Sequence, residues 1–493
     1  MAPTTRSQTS SLPSTPSSVR STNSNPQTLS PSTSRSHQSK PVLAILGTGW
    51  SGFTLLQRLS KSSLPKTHDI LVLSPNRTMA LTPLLASAAC GIFDFRVAEE
   101  PVRRSGMMKR VPGSGSGDGI QKYQVWVEAV DFDARTLTCR PAVGSNGNER
   151  ESTGGGAGGT FEVSFDKLVI APGSEVNTFD TPGVAEHCLF MKSVSDAMAL
   201  REKVLDCFEL ASLPKFSAEQ KRDILHFIIV GGGPTGVELA AELDELVHGH
   251  LLQIYPECRG LVSISVYDVA DRMLGQFGEK LSEYAMEKFR RREVNVRMGK
   301  HVEGFEKGVM SVKEDGRVGF GVAVWAAGNK TCGLVEEMHG VMKDDKGMLV
   351  TDQYLRVLAD GKEGEVVDGV WALGDAAGVR DDSLPATAEV AVQKAEWLAN
   401  YLVAVSKSEF EDGVNNKTSH SPRAGFEYKQ KALVAYIGRK DGIVDGSGKW
   451  TGKSAWLAWR GGNLQWSRSW RRKAMMLVYW VLNKWDGREI ARR

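Results

Sequence analysis

Two glycine-rich turns, each placed between an apolar run and a helix-like pattern, are the first candidates for chemistry in this 493-residue chain. They are Gly47-Thr-Gly49-Trp-Ser-Gly52 and Gly231-Gly-Gly233-Pro-Thr-Gly236. Glycine at these positions permits a tight turn, the approach of a pyrophosphate and close helix–strand packing, while the helix N-terminus offers free N–H groups to phosphates. Because the turn occurs twice, the sequence predicts two sites, each for its own dinucleotide.

A polar side chain stands where the second strand of each unit should end. Asp268 ends the run 264–268, where a carboxylate binds both ribose hydroxyls of NADH and repels the 2′-phosphate of NADPH. Its separation from Gly236 exceeds the usual ~20 residues, because 249–260 lengthens the crossover. Ser74 takes this place in the first unit, and a hydroxyl binds more weakly than a carboxylate. We predict a preference for NADH; the alternative for Asp268 is an ordinary strand-end turn.

Two further acids lie at informative positions. Asp375 follows Gly374 at the end of an apolar strand, which in this architecture puts a carboxylate beside the ribityl chain of a flavin. The alternative is again a turn, since isolated Gly-Asp pairs are common. Glu238 lies in the first turn after the second glycine-rich loop, where Thr235-Gly-Val-Glu238 also matches a helix capping box.

Apolar runs define the elements that must position these residues. Continuous runs at 42–46, 70–73 and 226–230 predict parallel strands buried on both faces, and 123–130 with 135–139 alternate like a hairpin. The segments 113–119 and 144–159 are predicted surface insertions. The fold class is therefore α/β, with two Rossmann-like dinucleotide-binding domains, for FAD and NADH, and a C-terminal membrane-associating module. The predicted units are a leader at 1–40, the FAD domain at 41–200 and 331–408, the NADH domain at 222–330 and the C-terminal module at 423–493.

Charge is distributed unevenly along the chain. Residues 1–40 carry +4, residues 423–493 carry +11 and the part between them carries −12. A basic tail on an acidic body predicts a negatively charged surface as the partner of that end. We expect this surface to be a membrane rather than nucleic acid, because seven of the twelve tryptophans lie in the tail and tryptophan settles at lipid headgroups.

The segment 474–482 is apolar on all helical faces and is flanked by basic residues. At nine residues it is too short to span a bilayer, so it is predicted to lie in the interface with its cations on anionic lipid. The alternative is a buried core helix docked on the FAD domain.

Two other compositional features limit the function. Residues 1–40 contain thirteen serines and no acid, which predicts either a mitochondrial transit peptide or a disordered tail. The six cysteines are scattered without a C-x-x-C pair or zinc-like spacing, so neither a redox disulfide nor a metal site is expected.

The two glycine-rich turns, Lys167-Leu-Val-Ile-Ala-Pro-Gly173 and Gly374-Asp375, in this order, resemble the flavoproteins with two dinucleotide-binding domains. Further motifs resemble the type II NADH:quinone oxidoreductases, the alternative NADH dehydrogenases of fungal and plant mitochondria and of bacteria. These motifs are Leu81-Thr-Pro-Leu-Leu85, Pro385-Ala-Thr-Ala-Glu389-Val-Ala-Val-Gln393, Ala435-Tyr-Ile-Gly438, Leu457-Ala-Trp-Arg460 and Gly487-Arg-Glu-Ile490. The resemblance covers residues 41–493 apart from the two insertions.

This resemblance implies an enzyme that passes a hydride from NADH to FAD and two electrons to ubiquinone, without pumping protons. It also implies a peripheral position on the inner mitochondrial membrane and a homodimer. Glu238 would lie beside the nicotinamide and the flavin. Further cofactor contacts are implied at Thr82, Pro83, Ala171, Gly173, Gly328 and Ala386.

The quinone site of the family follows the pattern Ala-Gln-x-Ala-x-Gln. This chain has Ala388-Glu389-Val-Ala391-Val-Gln393, with glutamate for the first glutamine, after a Pro385-Ala-Thr387 segment suited to a helix start. Glu389 and Gln393 therefore join Glu238 as candidate catalytic residues, with Glu389 a proton donor or a solvated helix acid. Residues 76–81 lack the aromatics usual in the family, which leaves the quinone preference open.

Two rival functions remain at this point. One is a soluble FAD-dependent NAD(P)H reductase with a non-quinone acceptor, and it predicts activity that does not depend on the tail. The other is a non-catalytic flavoprotein that senses NADH, and it predicts flavin reduction without steady turnover.

Overall fold

The computed structural model describes residues 40–104, 119–143, 159–361, 364–412, 424–446, 448–488 and 490, with the side chains of 409–412 left aside. Nearly all of the predicted leader and of the two predicted insertions lies outside these residues. The strands are β1 Val42–Leu46, β2 Asp69–Leu73, β3 Thr78–Ala80, β4 Glu99–Pro101, β5 Ile120–Tyr123, β6 Val125–Asp131, β7 Thr136–Pro141, β8 Phe161–Ser164, β9 Lys167–Ile170, β10 Ser174–Val176, β11 His226–Val230, β12 Ser263–Asp268, β13 Val294–Met298, β14 Val302–Glu306, β15 Val309–Val312, β16 Gly316–Gly319, β17 Val322–Trp325, β18 Asn329–Thr331, β19 Leu349–Thr351, β20 Arg356–Leu358, β21 Val366–Ala372, β22 Ala377–Val379, β23 Leu433–Gly438, β24 Asp441–Asp445 and β25 Lys449–Thr451. The α-helices are α1 Trp50–Leu59, α2 Leu85–Ala89, α3 Val184–His187, α4 Val194–Ser212, α5 Ala218–Ile224, α6 Pro234–Leu246, α7 Leu252–Ile254, α8 Glu279–Arg290, α9 Gly333–Glu336, α10 Ala388–Asp412, α11 Lys453–Trp466 and α12 Trp470–Trp485.

The larger sheet has eight strands in the order β22-β19-β20-β21-β9-β1-β2-β5. The strands from β21 to β5 run parallel, and β1 lies between β2 and β9. Alternate residues of β1 point into separate cores, with Leu43 and Ile45 on one side and Ala44 and Leu46 on the other. Burial on both faces explains why β1 is a continuous apolar run, as the sequence predicted.

A second sheet is inserted between the two chain segments that build the first. Its four strands, in the order β13-β12-β11-β17, are all parallel. β11 again divides its side chains between two cores. Both predicted strand–turn–helix units are therefore present, and each begins at an inner strand that pairs in parallel with both of its neighbours. The exact domain boundaries stay predictions.

Smaller antiparallel sheets complete the molecule. β6, β7 and β8 form a meander that contains the predicted hairpin, and β14, β15 and β16 form another. The two-stranded pair β10–β18 joins the segment after β9 to the segment after β17, so it bridges the two parallel sheets.

The C-terminal region consists of a β23-β24-β25 sheet followed by α11 and α12. α12 is longer than the predicted nine-residue segment and is buried on one side only, where Met476 is fully enclosed. Asn483 donates to Ile92 O at 2.6 Å and Arg472 to Glu99 O at 3.1 Å, which fixes that side to the body. The alternative, a buried core helix docked on the FAD domain, is confirmed in its docking, because Ile92 and Glu99 belong to that predicted domain, but not in its burial, because the opposite side of α12 is exposed.

Candidate active site

The first cradle, residues 47–52, connects β1 to α1 and has no space for side chains at two of its glycines. Gly47 has φ +94°, and a Cβ there would stand 2.1 Å from Ala171 O. A Cβ at Gly52 would stand 2.1 Å from Gly47 O. Gly49 caps α1 and faces open space. The turn therefore places the open N-terminus of α1 at the end of β1, in the geometry that binds a pyrophosphate.

Ser74 follows β2 beside this cradle and is buried. Its hydroxyl lies 2.8 Å from Thr48 Oγ1 and accepts a hydrogen bond from Asn76 N at 3.3 Å. The serine hydroxyl thus supports the glycine-rich loop. Trp50 donates to Thr82 Oγ1 at 3.0 Å, which brings the Thr82-Pro83 turn to the start of α1.

Gly374 and Asp375 lie directly beside α1. Gly374 has φ +69°, and a Cβ there would stand 2.6 Å from Ser51 Oγ. Asp375 accepts a hydrogen bond from Ser174 Oγ at 2.9 Å. Gly173, immediately before Ser174, has φ +84° and open space around it. The structure therefore brings the predicted residues of the two chain segments to one edge of the larger sheet.

The second cradle, residues 231–236, repeats this geometry at the end of β11. Gly231 has φ +120°, and its Cβ would stand 2.8 Å from the carbonyl group of Ala326. A Cβ at Gly236 would stand 1.9 Å from Gly231 O, whereas Gly233 caps α6 in open space. The two cradles are thus sterically equivalent. Both fit a dinucleotide phosphate, because the capping glycines Gly49 and Gly233 leave open space at the N-terminus of each helix.

Asp268 ends β12 next to the second cradle. Its Oδ2 accepts a hydrogen bond from Gly232 N at 2.5 Å, and its Oδ1 accepts one from Ala270 N at 2.8 Å. The carboxylate therefore adjoins the glycine-rich loop, where a ribose would lie. Gly328 follows β17 with φ +71°, and a Cβ there would stand 2.7 Å from the ring of Phe179.

Glu238 does not form the predicted capping box, because α6 begins at Pro234 and is capped by Gly233 without a side-chain hydrogen bond. Instead its Oε1 accepts hydrogen bonds from Trp459 Nε1 at 2.9 Å and from Tyr436 N at 3.3 Å. Burial of the carboxyl group raises the pKa of Glu238 to about 8. Glu238 is thus able to hold a proton at neutral pH at the start of the second unit's helix.

Glu389 and Gln393 lie one turn apart on α10. Gln393 Nε2 donates to Glu389 Oε1 at 2.6 Å, and Lys431 Nζ lies 2.6 Å from the same oxygen. Thr387 caps the helix, with its Oγ1 accepting from Val390 N at 3.3 Å, as the sequence predicted. α10 reaches the first cradle through Ser51 Oγ, which donates to Ala391 O at 3.3 Å. Ala386 is exposed before the helix start.

Several polar residues near these groups escaped the sequence analysis. Lys394 is fully buried, donates to Ala377 O at 2.9 Å and has its pKa lowered to about 8 by burial. Lys192 donates to Ser174 Oγ at 3.1 Å, close to Asp375. Trp459 and Tyr436 hold Glu238 from the C-terminal region. The motifs Ala435-Tyr-Ile-Gly438 and Leu457-Ala-Trp-Arg460 contain Tyr436 and Trp459 but did not indicate their contact with Glu238, and no pattern marked the lysines.

The segment that follows the Thr82-Pro83 turn contacts the helix of the second cradle. Ser87 of α2 donates to Glu242 Oε1 of α6 at 2.8 Å, so the segment after Thr82-Pro83 packs against the helix that carries Glu238. Trp50 joins the Thr82 turn to the N-terminus of α1, and Ser51 joins α1 to α10, the helix that carries Glu389 and Gln393.

Comparison with known proteins agrees with this geometry. The family model of pyridine nucleotide-disulphide oxidoreductases matches residues 41–395. In this chain all six cysteines are buried. Among solved structures, NDH2 from Plasmodium falciparum in complex with NADH has the same fold, with a TM-score of 0.77 and 22% identity over 92% of this chain and 100% of that one.

Relatives with similar sequences carry more specific names. The external alternative NAD(P)H-ubiquinone oxidoreductase B1 of Solanum tuberosum is 35% identical over 401 residues, 80% of this chain and 65% of that protein. The chain thus spans less than two thirds of the length of this relative. The internal alternative NAD(P)H-ubiquinone oxidoreductase A1 of Solanum tuberosum is 31% identical over 92% of this chain and 88% of its own. The external alternative NADH-ubiquinone oxidoreductase of Yarrowia lipolytica is 28% identical over 92% of this chain and 81% of its own length.

The chain therefore belongs to the pyridine nucleotide-disulphide oxidoreductase family and, within it, to the alternative, or type II, NAD(P)H-ubiquinone oxidoreductases.

Proposed function

We propose that this protein is an FAD-dependent NADH:ubiquinone oxidoreductase that pumps no protons. The observation that carries the proposal is the pair of sterically equivalent cradles on two parallel sheets, each with a glycine whose Cβ would collide with its own loop. Two such cradles in one chain suit one flavin dinucleotide and one nicotinamide dinucleotide. The names of the relatives support this assignment and supply ubiquinone as the acceptor.

The first cradle would hold FAD and the second NADH. Bound FAD supplies the hydride-accepting and electron-donating chemistry, while the protein positions the rings and excludes water. Asp375, which accepts a hydrogen bond from Ser174, would bind the flavin side chain, and Asp268, which accepts one from Gly232 N, would bind the ribose of NADH. Glu238, with its raised pKa, would orient the nicotinamide carboxamide or hold a proton beside it.

The acceptor site is proposed at the start of α10. Glu389 and Gln393 are hydrogen-bonded to each other and contact the segment 429–431. There Lys429 N donates a hydrogen bond to Gln393 Oε1 at 3.1 Å. The Gln393 amide and the Lys431 ammonium group supply donors that quinone oxygens need, and Glu389 would add a donor only when it is protonated. The substitution of glutamate for the first glutamine of the family pattern adds a negative charge that Lys431 balances.

The C-terminal helices are proposed to bind the membrane surface. The side of α12 that faces away from the body carries Leu477, Val478, Val481 and Leu482, each about half exposed, and the terminal Trp485 is 86% exposed. Apolar residues in this position beside Arg471, Lys473 and Lys484 match an interface of anionic lipid. No helix in the described part of the chain combines the length and the apolarity required to cross a bilayer.

We further propose a peripheral position on the inner mitochondrial membrane, in keeping with the mitochondrial names of the relatives. Homodimerisation through the C-terminal module is part of the same proposal. Sedimentation of the purified protein with and without residues 464–493 would measure both liposome binding and the oligomeric state.

Stopped-flow mixing tests the enzymatic proposal. The FAD-loaded protein is mixed anaerobically with NADH or NADPH and then with a short-chain ubiquinone. We expect NADH to reduce the flavin faster than NADPH and ubiquinone to reoxidise it within the turnover time. Reoxidation by a soluble dye but not by quinone would favour a soluble reductase, and reduction without reoxidation by any acceptor would favour an NADH sensor.

A further inference from the structure

The first cradle has no charged side chain of its own. Residues 47–52 consist of glycine, threonine, tryptophan and serine, and the proposed FAD would bring the two negative charges of a pyrophosphate to them. Asp375 brings a further negative charge, since its neighbour Gly374 packs against Ser51 in the first turn of α1. The helix N-terminus offsets only about half an elementary charge. Binding of the dinucleotide therefore calls for positive charge from outside the loop.

Lys394 is a lysine enclosed in the protein interior beside this cradle. It is 1% exposed on α10, and its Nζ donates to Ala377 O, two residues after Asp375, at 2.9 Å. In the part of the chain that the structure describes, this is the one hydrogen bond of an ammonium group that has three donors, and no carboxylate forms an ion pair with it. α10 reaches the cradle one turn earlier, where Ser51 Oγ donates to Ala391 O at 3.3 Å. A buried and incompletely bonded ammonium group thus adjoins the proposed FAD site.

Lys192 reaches Asp375 from another part of the chain, just before α4. Its Nζ donates to Ser174 Oγ at 3.1 Å, and Ser174 Oγ donates in turn to Asp375 Oδ2 at 2.9 Å. A second hydrogen bond, to Asn329 Oδ1 at 2.6 Å, fixes the amine at the start of β18. A single hydroxyl group therefore connects Lys192 to Asp375, and lysines from two separate elements approach this carboxylate.

The charges of these groups act on one another. Burial lowers the pKa of Lys394 to about 8, and the negative charges of Asp375 and Asp382 oppose the shift. Burial also lowers the pKa of Lys192, against the charges of Asp375 and Glu175. Asp382 and Glu175 are exposed, so water screens them. The groups that water screens least are therefore two ammonium ions and one carboxylate, and together they carry a net positive charge.

We propose that Lys394 and Lys192 are the charge partners of the phosphates of the flavin dinucleotide. One ammonium group offsets Asp375, and the remaining positive charge attracts the pyrophosphate to the N-terminus of α1. Without the dinucleotide the Lys394 ammonium group is buried at a cost in stability, and binding of the anion removes that cost. Occupation of the first cradle is thereby linked to the protonation of Lys394. The inference rests on the proposed assignment of FAD to this cradle.

The variant K394Q tests this role in the full-length chain. Glutamine keeps an N–H donor for Ala377 O but carries no charge. At pH 7, where Lys394 is charged, we expect K394Q to bind FAD about tenfold more weakly than wild type, while the FAD-free variant melts at a higher temperature than FAD-free wild type. A lysine with only a structural role would give the opposite sign in the second measurement. The inference is overturned if K394Q binds FAD as tightly as wild type, or if it melts at a lower temperature without FAD.

The matched control is K288Q. Lys288 lies on α8, and its Nζ pairs with Asp441 Oδ2 at 2.9 Å, so this amine already has a counter-ion. We expect K288Q to bind FAD like wild type and to show no rise in melting temperature. If K288Q loses affinity for FAD as K394Q does, the effect is not specific to the first cradle, and the inference is overturned.

Two smaller flavins separate the phosphate from the ring. FMN carries one phosphate and riboflavin carries none, and the quenching of flavin fluorescence measures the binding of both. We expect K394Q to weaken the binding of FMN and to bind riboflavin like wild type. An equal loss for the two flavins would place the action of Lys394 at the ring, and unchanged FMN binding would remove its action on phosphate. Either result would overturn the inference.

Proton uptake on FAD binding supplies a second readout that needs no turnover. At pH 8 about half of the Lys394 amines are neutral, so FAD should cause wild type to take up about half a proton more than K394Q. Calorimetric titration with FAD in buffers of different ionisation enthalpy measures this difference. Lys122 and Glu238 also have pKa values of about 8, but both are present in the two proteins and cancel in the comparison. Equal uptake by wild type and K394Q would overturn the link to Lys394.

Two further outcomes are distinguishable from these. If wild type itself binds no FAD, the proposed function fails, and the inference fails with it. If K394Q does not fold, K394M takes its place, because methionine is also uncharged and fills a similar volume. The supporting and the contrary results are then the same as for K394Q.

Discussion

Replacing Glu238 by glutamine tests the environment that the structure gives to this residue. The glutamine carbonyl oxygen can accept both hydrogen bonds that Glu238 accepts, from Trp459 Nε1 and from Tyr436 N. E238Q therefore removes only the ability to ionise. The difference in the free energy of unfolding between E238Q and wild type then reports the cost of a negative charge at this position.

The sign follows from the direction of the pKa shift. The pKa of Glu238 rises from 4.5 in the unfolded reference to about 8 in the folded protein. Below pH 4.5 both states bind the proton and the two proteins should be equally stable. Between pH 4.5 and 8 the unfolded chain releases the proton while the folded protein keeps it, so wild type loses stability relative to E238Q.

The magnitude is set by the size of the shift. At 1.36 kcal/mol for each pKa unit, the full shift corresponds to about 5 kcal/mol. Because the side chain is partly exposed and water screens its charge, we expect roughly half of this, about 2–3 kcal/mol above pH 8. Urea unfolding of E238Q and wild type at several pH values between 4.5 and 9 measures it.

A control carboxylate makes the result specific. Glu283 is exposed on α8, and E283Q should show no comparable rise relative to wild type. If E238Q follows wild type at every pH, the carboxyl group is not desolvated and the reasoning about Glu238 is wrong.

Three further predictions concern the other sites. D268S should raise the NADPH:NADH ratio of kcat/KM about tenfold, because it removes the group that repels a 2′-phosphate; an unchanged ratio would contradict the placement of Asp268. The double variant L477E/V481E should sharply reduce co-sedimentation with anionic liposomes while leaving flavin reduction by NADH intact, whereas unchanged sedimentation would exclude α12 as the lipid-binding surface. E389Q should raise the KM for ubiquinone but shift the thermal midpoint little, since a surface ion pair such as that with Lys431 contributes about 0–1 kcal/mol; an unchanged KM would place the acceptor elsewhere.

The sequence predicted the parts of the fold that depend on local pattern. β1 and β11 span the predicted ranges 42–46 and 226–230, and the last four residues of each strand are apolar because they are buried on both faces of the sheet. The glycines of both cradles were predictable, because the collision at Gly52 or Gly236 arises within the loop itself.

Features that depend on distant contacts could not be predicted in this way. The Thr-x-x-Glu pattern at Glu238 suggested a capping box, but Gly233 caps the helix and Glu238 instead binds residues about 200 positions further along the chain. The pairing of Arg488 with Glu242 and Glu245 likewise joins parts of the chain that no local pattern connects. One-sided burial of α12 also depends on the body against which it packs.

The visible spectrum of two cradle variants tests the central claim most directly. G52A closes the first cradle and G236A the second, since each added Cβ would collide with the carbonyl of the first glycine of its loop. The account predicts that G52A is colourless after incubation with FAD, whereas G236A is yellow but is not bleached by NADH. A yellow G52A protein that NADH bleaches at the wild-type rate would contradict the assignment of two cradles to two dinucleotides.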